Sequence, residues 1–181
     1  MCEPARQQII DHKLLPLIIT GLGDNCAPTR LACTKCILSL SRSVRQLRTC
    51  LIDAGLAQPL FQLLFDTDIE VQVAASAALC NIILDFSPMK QIIIEKGGVT
   101  RLVQLILGGS AALRLNAIWA LKNMLYQADL SLKRRVMDEL GWNNLSALVD
   151  DSNIALQEQA LSLLRNLVCG GEKVDIFYLG Y

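Results

Sequence analysis

Four short segments of this chain share one apolar frame and recur at an almost constant interval. Ser39 in KCILSLS, Asn81 in AALCNIIL, Asn123 in ALKNMLY and Asn166 in LLRNLV are separated by 42, 42 and 43 residues. Their flanking pairs are Ile37/Leu40, Leu79/Ile82, Leu121/Met124 and Leu164/Leu167. A unit of this length cannot bury its apolar face alone, so copies must stack, each touching its neighbours. The interval predicts an all-α solenoid of about four three-helix repeats in a single domain. The repeats cover about residues 9–50, 51–91, 92–135 and 136–168, and 169–181 read as the start of an incomplete further copy.

The third copy shows what such a helix presents. In LRLNAIWALKNMLY, Leu115, Ile118, Leu121, Met124 and Leu125 recur at helical spacing and predict one buried stripe. Asn116, Trp119 and Asn123, at i, i+3 and i+7, fall on another face. A helix that buries one face and shows Asn, Trp and Asn on another suits binding better than chemistry. Trp119 itself has two readings, an anchor for a ligand or a contact with the neighbouring repeat, because aromatic rings dominate cores as well as interfaces.

Composition narrows the function classes. About half of the 181 residues are apolar, enough for a substantial core, and the formal net charge is zero. A neutral chain has no overall pull towards nucleic acid or an anionic membrane surface. Seven cysteines, an odd number set mostly inside apolar helical patterns, point to a reducing compartment. MCEPARQQIIDHK lacks the apolar run of a signal peptide, and no apolar stretch approaches the roughly 18 residues that span a bilayer. The expected location is cytoplasmic, nuclear or both.

Several local motifs invite chemistry and have plainer explanations. Cys33 and Cys36 form a C-x2-C pair, with Cys26, Cys50 and His12 as possible further metal ligands. The same two positions hold Ala75 and Ala78 in the second copy, so cysteine can simply stand for alanine at a tight helix contact. Gly97-Gly98 precedes a helix but lacks the strand and the Lys-Ser/Thr of a phosphate loop, so it reads as the corner of a repeat. Asp66, Asp68, Asp150 and Asp151 lie in equivalent loops, where N-capping accounts for them, with Asp68 or Thr67 capping the second copy. The run 42–48, RSVRQLR, reads as a solvated basic face. The single histidine, His12, is placed in an N-terminal helix without a nucleophile beside it, so no catalytic residue, cofactor or metal is expected.

Three helices per copy, a glycine corner after the first, and third helices of the ALKN type resemble the armadillo repeat over nearly the whole chain. GGVTRLVQLI sharpens the likeness. The resemblance implies a right-handed superhelix whose third helices line a concave groove for extended peptides. A groove Asn holds the peptide backbone, and a Trp four residues earlier shapes side-chain pockets. Trp119 and Asn123 match that pair. Asn81 and Asn166 match the Asn alone, since Ala77 and Ser162 stand at the Trp position, and the first copy has Lys35 and Ser39. More closely, LRLNAIWALKNMLYQAD, RRVMDELGW and QEQALSLLRNL resemble the armadillo subunit family of the GID/CTLH ubiquitin-ligase complex. Members are scaffolds rather than catalysts, several times longer than this chain, and their groove holds the tail of a partner subunit.

Two binding functions follow as expectations. One is a scaffold or adaptor holding a partner segment; the other is a transport adaptor of the importin-α type, whose groove reads basic peptides. The second needs several Trp/Asn pairs with acidic neighbours, whereas Lys122 and Arg165 stand just before the groove Asn residues here. A basic rim repels a basic cargo. The expected groove set is Asn81, Asn116, Trp119, Lys122, Asn123, Arg165 and Asn166, with other proteins as partners and neither nucleic acid nor membrane. The apolar tail at 176–181 is expected to pack on another chain or segment.

Overall fold

The computed structural model describes residues 8, 12–42, 50–51, 53–83 and 88–169. The basic run beyond Arg42 and the tail at 176–181 lie outside these. The chain forms two compact units, Met1–Glu95 and Lys96–Tyr181. Among the described residues every regular element is helical.

The first unit contains α1 (Leu15–Gly21), α2 (Ala27–Ser41), α3 (Ala57–Gln62), a 3-10 turn (Leu63–Phe65), α4 (Ile69–Ile82) and α5 (Pro88–Glu95). The second contains α6 (Gly98–Gly108), α7 (Ala111–Leu125), α8 (Leu130–Leu140), α9 (Trp142–Val149) and α10 (Ile154–Val168). The third helices of the four copies are α2, α4, α7 and α10, and their starts at 27, 69, 111 and 154 keep the interval seen in the sequence. Within the first unit α4 lies along α2, and within the second α10 lies along α7.

Local chemistry sets these boundaries. Pro28 lies in the first turn of α2, where its missing N–H costs nothing. The Asp68 carboxylate caps α4 by accepting from the N–H of Glu70 at 2.8 Å and of Val71 at 3.3 Å. Ser110 caps α7, Asp129 caps α8, and Asn153 caps α10. The corner between first and second helices needs a left-handed residue in three copies, at Gly55 (φ 75°), Gly97 (φ 85°) and Gly141 (φ 75°). The opening helices begin earlier than the apolar pattern suggested, at Pro88 rather than near Ile92 and at Leu130 rather than near Val136. A proline at the start of α5 and the Asp129 cap explain the two shifts.

The buried stripe of α7 also differs in one member. Leu113, Ala117, Ile118, Ala120, Leu121, Met124 and Leu125 are buried, whereas Leu115 is only half-buried. The alanines let a neighbouring helix approach closely, so they carry burial that a search for large apolar residues overlooks. His12 lies exposed in a turn ahead of α1, not in a helix. Lys133 of α8 is buried, and its Nζ donates to the Cys169 carbonyl at 2.7 Å, at the end of α10. A cation there meets the negative end of the helix dipole.

Candidate groove of the second unit

Helices α7 and α10 bring six of the seven expected groove residues into one unit. Trp119 is 43% exposed, so part of its side chain faces solvent and the rest is covered by its neighbours. Lys122, one turn further along, holds its Nζ 5.2 Å from the centre of that ring. The same Nζ donates to Gln159 Oε1 of α10 at 2.9 Å. The ammonium thus bridges an aromatic face and an amide, which fixes the orientation of the indole. Asn116 and Asn123 are half-buried on the same helix.

Asn166 has a structural contact. It is 6% exposed, and its Nδ2 donates to the Lys122 carbonyl of α7 at 2.9 Å. The exposed Arg165 turns back onto Asn166 Oδ1 at 3.4 Å through Nε and Nη2. Asn81, in the first unit, makes a comparable link, with Nδ2 donating to Ser41 Oγ of α2 at 3.1 Å. Its amide nitrogen ties one third helix to the preceding one, as Asn166 does.

A second set of residues, missed in the sequence, joins the same helices at their N-terminal ends. Arg30 of α2 meets Asp66 in the loop before α4, through Nε at 2.6 Å and Nη2 at 2.8 Å. Arg114 of α7 meets Asp151 in the loop before α10 at 2.8 Å. The capping explanation holds for Asp68 but not for Asp66 or Asp151, and the cap of α10 is Asn153. The Arg30 guanidinium holds the Asp66 carboxyl below the usual carboxylate range, helped by the N–H groups of Asp68 and Thr67. Asp151 is lowered first by the Asn153 N–H and then by Arg114. Arg30 and Arg114 are 84 residues apart, and Asp66 and Asp151 are 85 apart. Two repeat lengths was the signal available.

The C-x2-C pair sits on α2. The Cys33 thiol is pushed up by burial, with Cys36 and Asp24 adding to the shift. A Cβ added at Gly21 would collide with Cys33 Sγ, so this sulfur fills a close contact between α1 and α2. Among the described residues no three His, Cys, Asp or Glu side chains cluster as metal ligands. Among them, too, no helix is long and apolar enough to cross a membrane.

Known families and structures agree with this architecture. The family model described as VID28/GID5 C-terminal domain matches residues 108–179, and the Armadillo/beta-catenin-like repeat matches 45–83 and 86–126. Armadillo repeat-containing protein 8 of Xenopus laevis is 40% identical over 96% of this chain, and GID complex subunit 5 of Schizosaccharomyces pombe is 36% identical over 96%. The chain spans about a quarter of the length of these relatives, 24% and 22%. A designed armadillo repeat protein in complex with the peptide (KR)4 superposes with a TM-score of 0.78 at 25% identity, covering 90% of this chain and 67% of that one. Computationally designed armadillo repeat proteins for modular peptide recognition give 0.80 at 25% identity, covering 91% and 69%. The chain is an armadillo-repeat protein, homologous along nearly all of its own length to armadillo repeat-containing protein 8 and GID complex subunit 5.

Proposed function

We propose that this protein is a non-catalytic scaffold that holds an extended segment of a partner protein on the Trp119 face of α7, as a subunit of a GID-type ubiquitin-ligase complex. The observation that carries the reading is the exposed indole of Trp119, oriented by Lys122. A large amphipathic ring that stands exposed contributes strongly when a partner covers it and removes its apolar surface from water. Asn123, one turn away, has a side-chain amide with both donor and acceptor, which suits a peptide backbone of any sequence. The relatives named as GID complex subunits support the choice of assembly. Lys122 and Arg165 favour an acidic segment over the basic cargo of an importin-like adaptor. Such an assembly would act in the cytoplasm or nucleus.

A pull-down with the whole chain from cell extract, read by mass spectrometry, tests this reading. Recovery of GID-type subunits is expected, and Trp119→Ala should weaken the complex by about 2 kcal/mol, roughly 30-fold. Asn123→Ala should also weaken it, and Lys122→Glu should reduce its salt dependence. Recovery of transport receptors alone, or binding indifferent to Trp119→Ala and Asn123→Ala together, would overturn the assignment.

A further inference from the structure

The exposed part of the Trp119 indole comes with a charge attached. Lys122 is half-buried, and its Nζ lies 5.2 Å from the ring centre and 2.9 Å from Gln159 Oε1 of α10. Both of these neighbours are neutral groups that offer a partial negative charge, an aromatic face and an amide oxygen. They hold the ammonium in place without neutralising it. Arg165, exposed at the equivalent position of α10, 43 residues on, adds a second positive charge by register. Ser162 of α10 stands at the register position of Trp119, so the ring has no aromatic counterpart one repeat along.

Any side chain laid on this indole also comes against the ammonium. An apolar residue alone would take water from a charge and give no charge in return, which offsets the gain from covering the ring. A carboxylate beside that residue reverses the balance, because charge-assisted N–H···O bonds are the stronger class and a half-buried pair is screened less than an open one. The backbone of an extended segment fixes the spacing. Adjacent side chains point to opposite faces, whereas side chains two residues apart share a face and stand about 7 Å apart. With the ring centre and Nζ 5.2 Å apart, residues i and i+2 can engage both, and residues i and i+1 cannot.

We propose that the Trp119 face selects segments that carry an apolar residue and a side-chain carboxylate two positions apart, and that Lys122 sets this choice. The inference rests on the partner-segment reading given above and adds the chemistry of the segment. On binding, the apolar side chain covers the indole and the carboxylate draws the ammonium from Gln159 Oε1. Gln159 is then free to use its amide donor and acceptor on the backbone of the segment. A lysine or arginine in place of the carboxylate is repelled, and a neutral residue leaves the segment held by the ring without its ionic partner. Trp119 is the anchor, and Lys122 is the residue that sets specificity.

Three capped octapeptides, SLSESLSE, SLESSLES and SLSQSLSQ, titrated into the whole chain test this. The first two have one composition, but only SLSESLSE sets leucine and glutamate on the same face of an extended chain. Trp142→Phe leaves Trp119 as the only indole, so a blue shift of tryptophan emission reports cover of that ring. SLSESLSE should bind about fivefold tighter than either other peptide. Lys122→Met, which keeps the aliphatic stem, should erase this preference, and Lys122→Arg should retain it. If no peptide shifts the emission, the Trp119 face holds no extended segment, and both the reading and the inference fall. If the peptides shift the emission with equal affinity, or if the preference survives Lys122→Met, the reading stands and the inference is overturned. Equal affinity for the two isomeric peptides overturns it with Lys122 intact, whatever Lys122→Met does to helicity.

Discussion

The helix pairs α2/α4 and α7/α10 are built on one register and use it differently. In the first unit the incoming helix presents Ala74, Ala75 and Ala78, at most 6% exposed, so α4 lies against its neighbour with small side chains. In the second unit the same positions hold Gln159, Ala160 and Leu163, and α10 reaches α7 partly through Gln159 and Lys122. The Arg–Asp clasp follows the same division. The side chains of Arg30 and Asp66 are 14% and 5% exposed and meet through two bonds; those of Arg114 and Asp151 are 33% and 15% exposed and meet through one. At the register position of Trp119 the first unit carries Lys35 on α2 and Ala77 on α4. One repeat junction packs through small side chains, and the other through a larger and more polar set.

Exchanging the residues at one register position gives the largest expected effects. Leu163→Ala should cost about 2–5 kcal/mol, because a fully buried leucine leaves a cavity in the α7/α10 contact. The reverse change in the first unit, Ala78→Leu, should cost about 1–3 kcal/mol by overpacking a contact fitted to alanine. Denaturant midpoints read both. A neutral Ala78→Leu would mean that α2 and α4 are not held closely by their alanines.

The clasps should respond to pH, and unequally. Both carboxyls are lowered in the folded state, so their contribution is fully present above the unfolded value, about 3.9, and is lost as pH falls through the lowered folded values. Asp66→Asn and Asp151→Asn should each flatten the acid limb of the stability profile. Asp66→Asn should lower Tm more at neutral pH, since its side chain is the more buried and is held by two bonds. Equal losses would show that depth does not distinguish the two junctions.

Much of this was legible in the sequence because the interval constrains everything in register with it. The starts of the four third helices follow from one spacing, and the glycine corners follow from φ values that other residues rarely adopt. What stayed hidden was partnership across repeats. Asp66 and Asp151 look like caps because a loop aspartate before a helix usually is one; that each faces an arginine 36 or 37 residues earlier depends on how two helices stack. The burial of Asn166 was hidden for the same reason, since its position matches Asn123 but its amide turns to the Lys122 carbonyl. Lys133 inside α8 is invisible to hydropathy, which reads lysine as surface.

The smallest stability effect belongs to the residue with the largest expected role in binding. Trp119 is 43% exposed, and the Lys122 Nζ lies 5.2 Å from the centre of its ring. Removing the ring loses the cation–π contact, about 0.5–1 kcal/mol, together with the packing of its covered part, which is smaller than that of a fully buried ring. Truncating a core tryptophan would instead cost about 3–5 kcal/mol. The first unit carries Lys35 and Ala77 at this register position, and its α2/α4 junction stands without an aromatic in either helix. Chemical denaturation of Trp119→Ala should therefore give a midpoint within a small step of wild type while partner binding falls. A loss of the core size would place the indole inside the α7/α10 packing, and the difference between the two units would be one of packing alone.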